Sequence, residues 1–365
     1  MLGELLQTGV DRDHLRPPDF LVPGLHVRAL ARRDAIKLVA HGLMVTSGVT
    51  PKDVERAAAE LRAYLSPTPL QYSRAFTDKA RCHVHLKIES IQPIRAFKVR
   101  GALNKLIRMT AAQRAAGVIT ASAGNHGLGV AYAAAAFQAP ATVYVPETAN
   151  PFKVEAIRRL GAHVVSAGRN YSGAYVEALA AQKESGATFV HAYNDPDVVA
   201  GQGTIATELL SDLAEFDTVL VPVGGGGLIG GIAMYLKSKK PGIKVIGVEP
   251  SGADAMYRSL KAGSIVTLDR VSTIADGLAA SAPGELTFGL AQRYVDEVVL
   301  VAEAELLRAI RLLFEWEHLL AEPAGAAALA ALLYHHRPAP NERVVVILSG
   351  GNVTDEVMLR ALKSR

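Results

Sequence analysis

The chain of 365 residues has a single cysteine, Cys82, and a single tryptophan, and only 6% of it is aromatic. One thiol permits no internal disulfide, which excludes the disulfide-stapled secreted scaffolds and fits a reducing compartment. No apolar run reaches about 18 residues, so a membrane-spanning helix is not expected. The first residues lack a basic-then-apolar leader, and Asp11 and Asp13 follow closely, so a cytoplasmic protein is expected. Charge of one sign is scarce too: 39 basic against 35 acidic residues leave a net charge of +4. No basic block or aromatic-basic ladder of the kind that tracks nucleic acid is present. The 11 histidines show no zinc-site spacing. No metal ion, nucleic acid or membrane is therefore expected as a partner.

What the chain has is apolar residues, 50% of the total, and 32 glycines, many just after apolar runs. Residues 1–24 read as an irregular arm and 27–44 as a helix. Thr50, Pro51 and Asp53 then form a capping box ahead of an apolar face at Val54, Ala57, Leu61 and Leu65. This arm serves either as an oligomer contact or as packing on its own domain. After a strand over 83–89 and a helix over 103–109, strands alternate with helices. Strands are predicted at 118–121, 141–145, 163–166 and 188–192, separated by helices at 126–137, 151–160 and 171–183. A second series has strands at 218–223, 244–248 and 344–348 and ends on a helix at 354–362. Short apolar strands separated by helices of about ten residues predict parallel sheets covered on both faces.

Four segments carry chemistry. Lys98 sits beside Phe97 at the start of a largely apolar helix, where burial favours the neutral amine, the form that can condense with an aldehyde. Gly224, Gly225, Gly226 and Gly227 follow an apolar strand and precede a helix beginning at Leu228. Inward-facing amides and a helix N-terminus make a phosphate cradle, although such a run also serves as a tight packing turn. Ser122, Ala123, Gly124, Asn125 and His126 lie in a strand-to-helix loop whose amides can bind a carboxylate; alone, such a loop is also a common turn. Ser349 ends another strand, followed by Gly350, Gly351 and Asn352. Its hydroxyl has a second reading, as a cap for the last helix.

In this order the four segments resemble the threonine/serine dehydratase branch of the fold-type II enzymes that use pyridoxal 5'-phosphate (PLP). The resemblance runs from about Leu65 to the end. It implies an α/β protein of two open, twisted, mostly parallel sheets covered by helices, with the cofactor in the cleft between domains. It also supplies a division: an N-terminal helical arm at 1–64, a large PLP-binding domain at 65–115 and 195–365, and a small inserted domain at 116–194. Lys98 would carry the cofactor and move the substrate proton. Phe97 would pack under the ring, and residues 224–227 with Leu228 would hold the phosphate. Ser349 would meet the pyridine nitrogen, and Asn125 the 3-hydroxyl. Residues 122–126 would wrap the substrate carboxylate. The implied activity is an ammonia-lyase converting L-threonine or L-serine to 2-oxobutanoate or pyruvate and ammonia, in a homo-oligomer, dimer or tetramer. Alternatives are a dehydratase for 3-hydroxyaspartate or phenylserine, a β-replacement enzyme or synthase, and a non-catalytic PLP-binding protein.

Departures from the family pattern bear on the substrate side chain. Arg95 and Ala96 stand where many relatives have glycine or histidine and then serine. Arg95 faces either the cleft, favouring an acidic substrate, or solvent, pairing with a carboxylate such as Glu89. Tyr193 replaces a usual phenylalanine, and Leu128 a frequent glutamine or alanine. Ala123 replaces the second serine that racemising relatives use as an acid–base. The run from Glu249 to Ala255 lacks the last carboxylate with which some relatives hold a divalent cation. No regulatory domain is expected after the core.

Overall fold

The computed structural model describes residues 48–364. The arm expected at 1–24 and the helix expected at 27–44 lie outside the described residues. The first element is helix α1, Pro51–Leu61, opened by the Thr50–Asp53 capping box and burying Val54, Ala57 and Leu61. Then come β1 (Leu70–Tyr72), α2 (Arg74–Ala80), β2 (His83–Ile88), α3 (Lys98–Arg108) and α4 (Ala111–Ala116). The next strands, each followed by a helix, are β3 (Val118–Ala121), α5 (Asn125–Ala136), β4 (Ala141–Val145), α6 (Pro151–Arg159), β5 (His163–Ser166) and α7 (Tyr171–Ser185). Strand β6 (Thr188–Phe189) and helix α8 (Pro196–Asp212) lead into β7 (Thr218–Pro222) and α9 (Gly227–Lys239). The chain continues through β8 (Lys244–Pro250), α10 (Ala255–Ala262), α11 (Glu285–Tyr294), β9 (Glu297–Val301) and α12 (Glu303–Glu317). It closes with α13 (Pro323–Tyr334), β10 (Arg343–Leu348) and α14 (Asp355–Lys363). Among the described residues no helix is long and apolar enough to cross a membrane.

Two sheets result, with strand orders β1-β2-β10-β7-β8-β9 and β5-β4-β3-β6. All pairings are parallel except β1 with β2. Strand β10 shows why its sequence is a continuous apolar run. Val344, Val346 and Leu348 enter the core beneath α12 and α13, while Val345 and Ile347 enter the core beneath α8 and α9. A strand buried on both faces leaves no polar alternation to read. In the second sheet Val118, Val143 and Val145 pack with α3, α5 and α6, and Ile119 and Ala121 pack beneath α7.

The glycines of α8 fix the spacing between helices. A Cβ on Gly201 would lie 2.7 Å from Arg100 O and from Gly101 Cα, and one on Gly203 would lie 3.0 Å from Gly231 O. Helix α8 therefore touches α3 and α9 backbone to backbone, so the glycines at 201 and 203 serve packing. A buried ionic node adds direction. Arg100 donates to both oxygens of Glu89, at 2.7 and 2.8 Å, and to both of Glu208, at 2.6 and 2.9 Å. Lys87 Nζ meets Glu208 at 2.7 Å and Thr68 O at 2.6 Å. The end of β2, the first turn of α3 and the middle of α8 are thereby locked together, and Lys98 stands at the start of that turn.

Gly201→Ala must push α3 away from α8. It is expected to lower stability by about 1–3 kcal/mol, the usual cost of overpacking, read as a drop in denaturation midpoint.

Candidate active site

Lys98 opens α3 from the end of a short bridge, Ala96 to Gly350, that ties its approach to the loop after β10. Phe97 N donates to Ser349 O at 3.0 Å, and Gly351 N to Arg95 O at 2.8 Å. The lysine and Ser349 are thus fixed relative to each other by backbone. Lys98 Nζ donates to Ala192 O at 2.8 Å and lies 5.1 Å from the Phe97 ring centroid. Burial pushes its pKa down from 10.5 to about 8. No carboxylate among the described residues forms an ion pair with it.

The neighbouring histidines are neutral. His126 Nε2 lies 2.9 Å from Val190 O, an acceptor, so Nε2 carries the hydrogen. Burial, and then the charge of Lys98, push His126 down to about 3. The same two causes, in the same order, push His191 to about 4. His191 Nδ1 accepts the amides of Tyr193 and Asn194, which also requires an unprotonated ring nitrogen. Nδ1 of His126 is buried with no partner among the described residues.

The tetraglycine turns from β7 into α9, with Gly226 at φ 91°. A side chain at any of the four would crowd its neighbours, and at Gly225 and Gly226 it would collide. A Cβ on Gly225 would meet the Tyr193 ring at 2.3 Å, on Gly226 the Met256 Cε at 2.7 Å, and on Gly224 the Leu278 Cα at 3.1 Å. Gly225, Gly226 and Gly227 are buried. No hydrogen bond among the described residues takes up their amides. Buried N–H groups without acceptors at a helix N-terminus form an anion site.

The 122–126 loop leads into α5 close to Lys98, whose charge acts on His126. Gly124 N donates to Ser122 Oγ at 3.2 Å, and α5 starts at Asn125 without a side-chain cap. Helix α5 approaches the lysine directly, since a Cβ on Gly129 would lie 3.1 Å from Lys98 O. Asn125 Nδ2 donates to Glu322 Oε1 at 2.6 Å, and Asn125 Oδ1 accepts from Asn352 Nδ2 at 2.7 Å. Burial, and then the nearby Asp276 carboxylate, raise Glu322 to about 7. Ser349 is buried and its Oγ donates to Ala324 O at 3.3 Å. The cap of the last helix is Thr354, so that alternative reading of Ser349 is set aside.

Arg95 is exposed, in the left-handed region at φ 57°, and its side chain makes no ion pair or hydrogen bond among the described residues. Glu89 cannot be its partner, because both Glu89 oxygens are engaged by Arg100 in the core. At the run from Glu249 to Ala255, the Glu249 oxygens accept the amides of Met256 at 3.0 Å and Tyr257 at 2.8 Å, and Asp254 pairs with Arg258 at 2.9 Å. The carboxylate caps α10 directly. Among the described residues no cluster of three or more His, Cys, Asp or Glu side chains is placed to hold a metal ion.

Sequence reasoning missed three participants. The carbonyl of Ala192 has no sequence signal. Tyr193 was visible only as a departure, although its ring covers the glycine turn and its hydroxyl donates to Ala282 O at 3.2 Å. Lys153, on α6, pairs with Asp276, in the segment between α10 and α11. Together, a lysine poised near neutrality, an unsatisfied buried anion cradle, a buried neutral hydroxyl and an open-ended amide loop fit the aldehyde, phosphate and ring of pyridoxal phosphate.

Comparison with known proteins agrees. Residues 61–350 match the family described as pyridoxal-phosphate dependent enzyme. The chain is 42% identical over 305 residues to an L-threonine ammonia-lyase of Thermotoga maritima, covering 84% of this chain and 76% of that protein. Among solved structures it is similar to the processed threonine deaminase isoform 2 of Solanum lycopersicum. That match has TM-score 0.81 and 35% identity, covering 86% of this chain and 94% of the other. It is also similar to maize serine racemase, with TM-score 0.82 and 33% identity, covering 86% and 97% of the two chains.

The depressed pKa sets a pH dependence for Lys98 in protein stripped of cofactor. The neutral, reactive amine grows as pH rises through about 8. Acetylation of Lys98 by a pulse of anhydride, followed by peptide mass spectrometry, is expected to show a midpoint near 8. Exposed lysines would still be rising at pH 10.

Proposed function

The chain belongs to the pyridoxal-phosphate dependent enzymes, in the threonine/serine dehydratase branch, and we propose that it deaminates L-threonine first and L-serine second. The products would be 2-oxobutanoate or pyruvate, with ammonia. The observation that carries this reading is the near-neutral Lys98 amine, held at Ala192 O one residue before Tyr193, whose ring lies over the glycine turn with its unsatisfied amides. The names of the similar proteins, a threonine ammonia-lyase and a threonine deaminase, support threonine as the first substrate.

When bound, the cofactor supplies an electron sink for the bond broken at the substrate α-carbon. The amides of residues 224–227 would hold its phosphate, Ser349 Oγ would lie at the ring nitrogen, and the Asn125 side chain at the ring oxygen. A hydroxyl at the ring nitrogen does not stabilise a protonated ring as a carboxylate would. That suits elimination from the β-carbon rather than a long-lived carbanion. The free amides at the start of α5, with Ser122, would orient the substrate carboxylate. The neutral Nζ of Lys98 would take the α-proton, covalent and general-base roles that need an amine with pKa near the working pH. Ala123 offers no proton on the opposite face, so inversion at the α-carbon is a minor outcome.

Arg95 is exposed and unpaired, which supports the outward reading and leaves threonine and serine ahead of 3-hydroxyaspartate. Its left-handed backbone is one that glycine adopts without strain.

An amino-acid screen with detection of ammonia and 2-oxo acid tests the proposal. Threonine and serine are expected to lead, with D-enantiomer forming far more slowly than ammonia. Ammonia from neither, together with condensed product from added thiols or threonine from phosphohomoserine, would favour a β-replacement enzyme or synthase. Neither product would favour a non-catalytic PLP-binding protein. Arg95→Gly is expected to change kcat/KM for threonine, serine and threo-3-hydroxyaspartate alike, and to stabilise the fold by about 1 kcal/mol by easing the left-handed residue. A selective loss on the acidic substrate would instead make Arg95 a specificity residue.

A further inference from the structure

Glu322 is nearly fully buried between the loop after β10 and the start of α5, and the proposed chemistry leaves it without a role. Its surroundings are built for it. A Cβ on Gly350 would lie 2.2 Å from Glu322 Oε1 and 3.3 Å from Asn125 Nδ2, so the glycine makes room for the contact. The hydrogen bonds around Asn125 run in one direction. Asn352 Nδ2 donates to Ile94 O at 2.9 Å and to Asn125 Oδ1 at 2.7 Å, which uses both of its hydrogens. Asn125 Nδ2 then donates to Glu322 Oε1 at 2.6 Å. Above a pH of about 7 the carboxylate is ionised and only accepts, so there it ends the chain and fixes its sense. Asn125 is left with one N–H that has no acceptor among the described residues, while its carbonyl oxygen is held by Asn352.

We propose that Glu322 is a positioning residue that orients Asn125 as a hydrogen-bond donor toward the ring oxygen of the bound cofactor. This rests on the functional reading above, in which Asn125 lies at that oxygen. A donor at a phenolic oxygen favours its ionised form. Glu322 therefore acts on the cofactor only through Asn125. Asp276 and Lys153 are the other charged groups whose fields reach Glu322, and their own ion pair leaves the Glu322 carboxylate to Asn125.

The test is a pH titration of the visible absorbance of the PLP-loaded holoenzyme, with bound PLP measured separately. In Glu322→Leu the visible band is expected to lose intensity to the near-ultraviolet at unchanged PLP content, its titration moving up by about one pH unit. Glu322→Gln, whose amide oxygen can still accept from Asn125, should keep most of the wild-type spectrum. Gly350→Ala, which displaces the carboxylate without removing its charge, should reproduce the Glu322→Leu shift even if the leucine variant fails to fold. Asn125→Ala should show the same shift, and adding Glu322→Leu to it should add nothing. A wild-type titration in Glu322→Leu or Gly350→Ala, or additive shifts in the double variant, would overturn the proposal. A wild-type protein that binds no PLP would overturn the functional reading instead.

Discussion

A guanidinium buried between two carboxylates is the constraint on which the rest depends. Burial alone would raise the pKa of Glu89, but the charge and hydrogen bonds of Arg100 outweigh it and hold Glu89 below the usual carboxylate range. Arg100 reaches Glu208 as well, so β2, α3 and α8 meet at one point in the core. Breaking a buried pair of this kind costs about 3–5 kcal/mol, because the remaining charge is stranded. Two residues before the guanidinium comes Lys98. The node thus spends ionic interactions in the core to place an amine that has no ionic partner of its own. Glycine contacts at Gly101, Gly201 and Gly129 bring the neighbouring helices close enough that the lysine backbone has little freedom.

The cleft itself runs on the opposite principle. His126 and His191 are neutral, Ser349 is a hydroxyl, and the cradles proposed for phosphate and carboxylate are backbone amides. Fixed dipoles in a partly dry cleft stabilise bound anions without bringing counter-charges of their own. A buried amine in such company loses its proton easily, and this is the property a proton-moving lysine needs. The charged residues near the cofactor space, Glu322, Asp276 and Lys153, are tied to one another or to Asn125. The Lys153–Asp276 pair and the orientation of one amide are therefore linked by electrostatics.

Much of this was legible in the sequence, for identifiable reasons. Strands buried on both faces, such as β7 and β10, appear as unbroken Val, Ile and Leu runs, and the capping box at Thr50 announces α1. The four motifs were legible because they occur together in family order, each at a strand end or a helix start, although alone each also reads as an ordinary turn, cap or helix start. Shorter elements were not. Strand β1 has three residues and pairs antiparallel at an edge, α10 is capped from a distance by Glu249, and β6 spans two residues of the five expected. Contacts made by backbone carbonyls, such as Ala192 with Lys98, leave no trace in residue type. Arg95 shows a different limit: the sequence marked it as unusual, but neither its exposure nor its left-handed backbone could be read from residue type. Asn125 was marked in the sequence as a candidate site residue, whereas its hydrogen bond to Glu322, 197 positions away, needed the fold.

The central claim is that Lys98, and no other lysine, holds the cofactor. Borohydride reduction of the purified protein, followed by digestion and mass spectrometry, tests it most directly. The account predicts loss of the visible absorbance, with reduced cofactor attached to the peptide carrying Lys98. Reduced cofactor on a different lysine, or a protein loaded with pyridoxal phosphate that takes up no label, would contradict it.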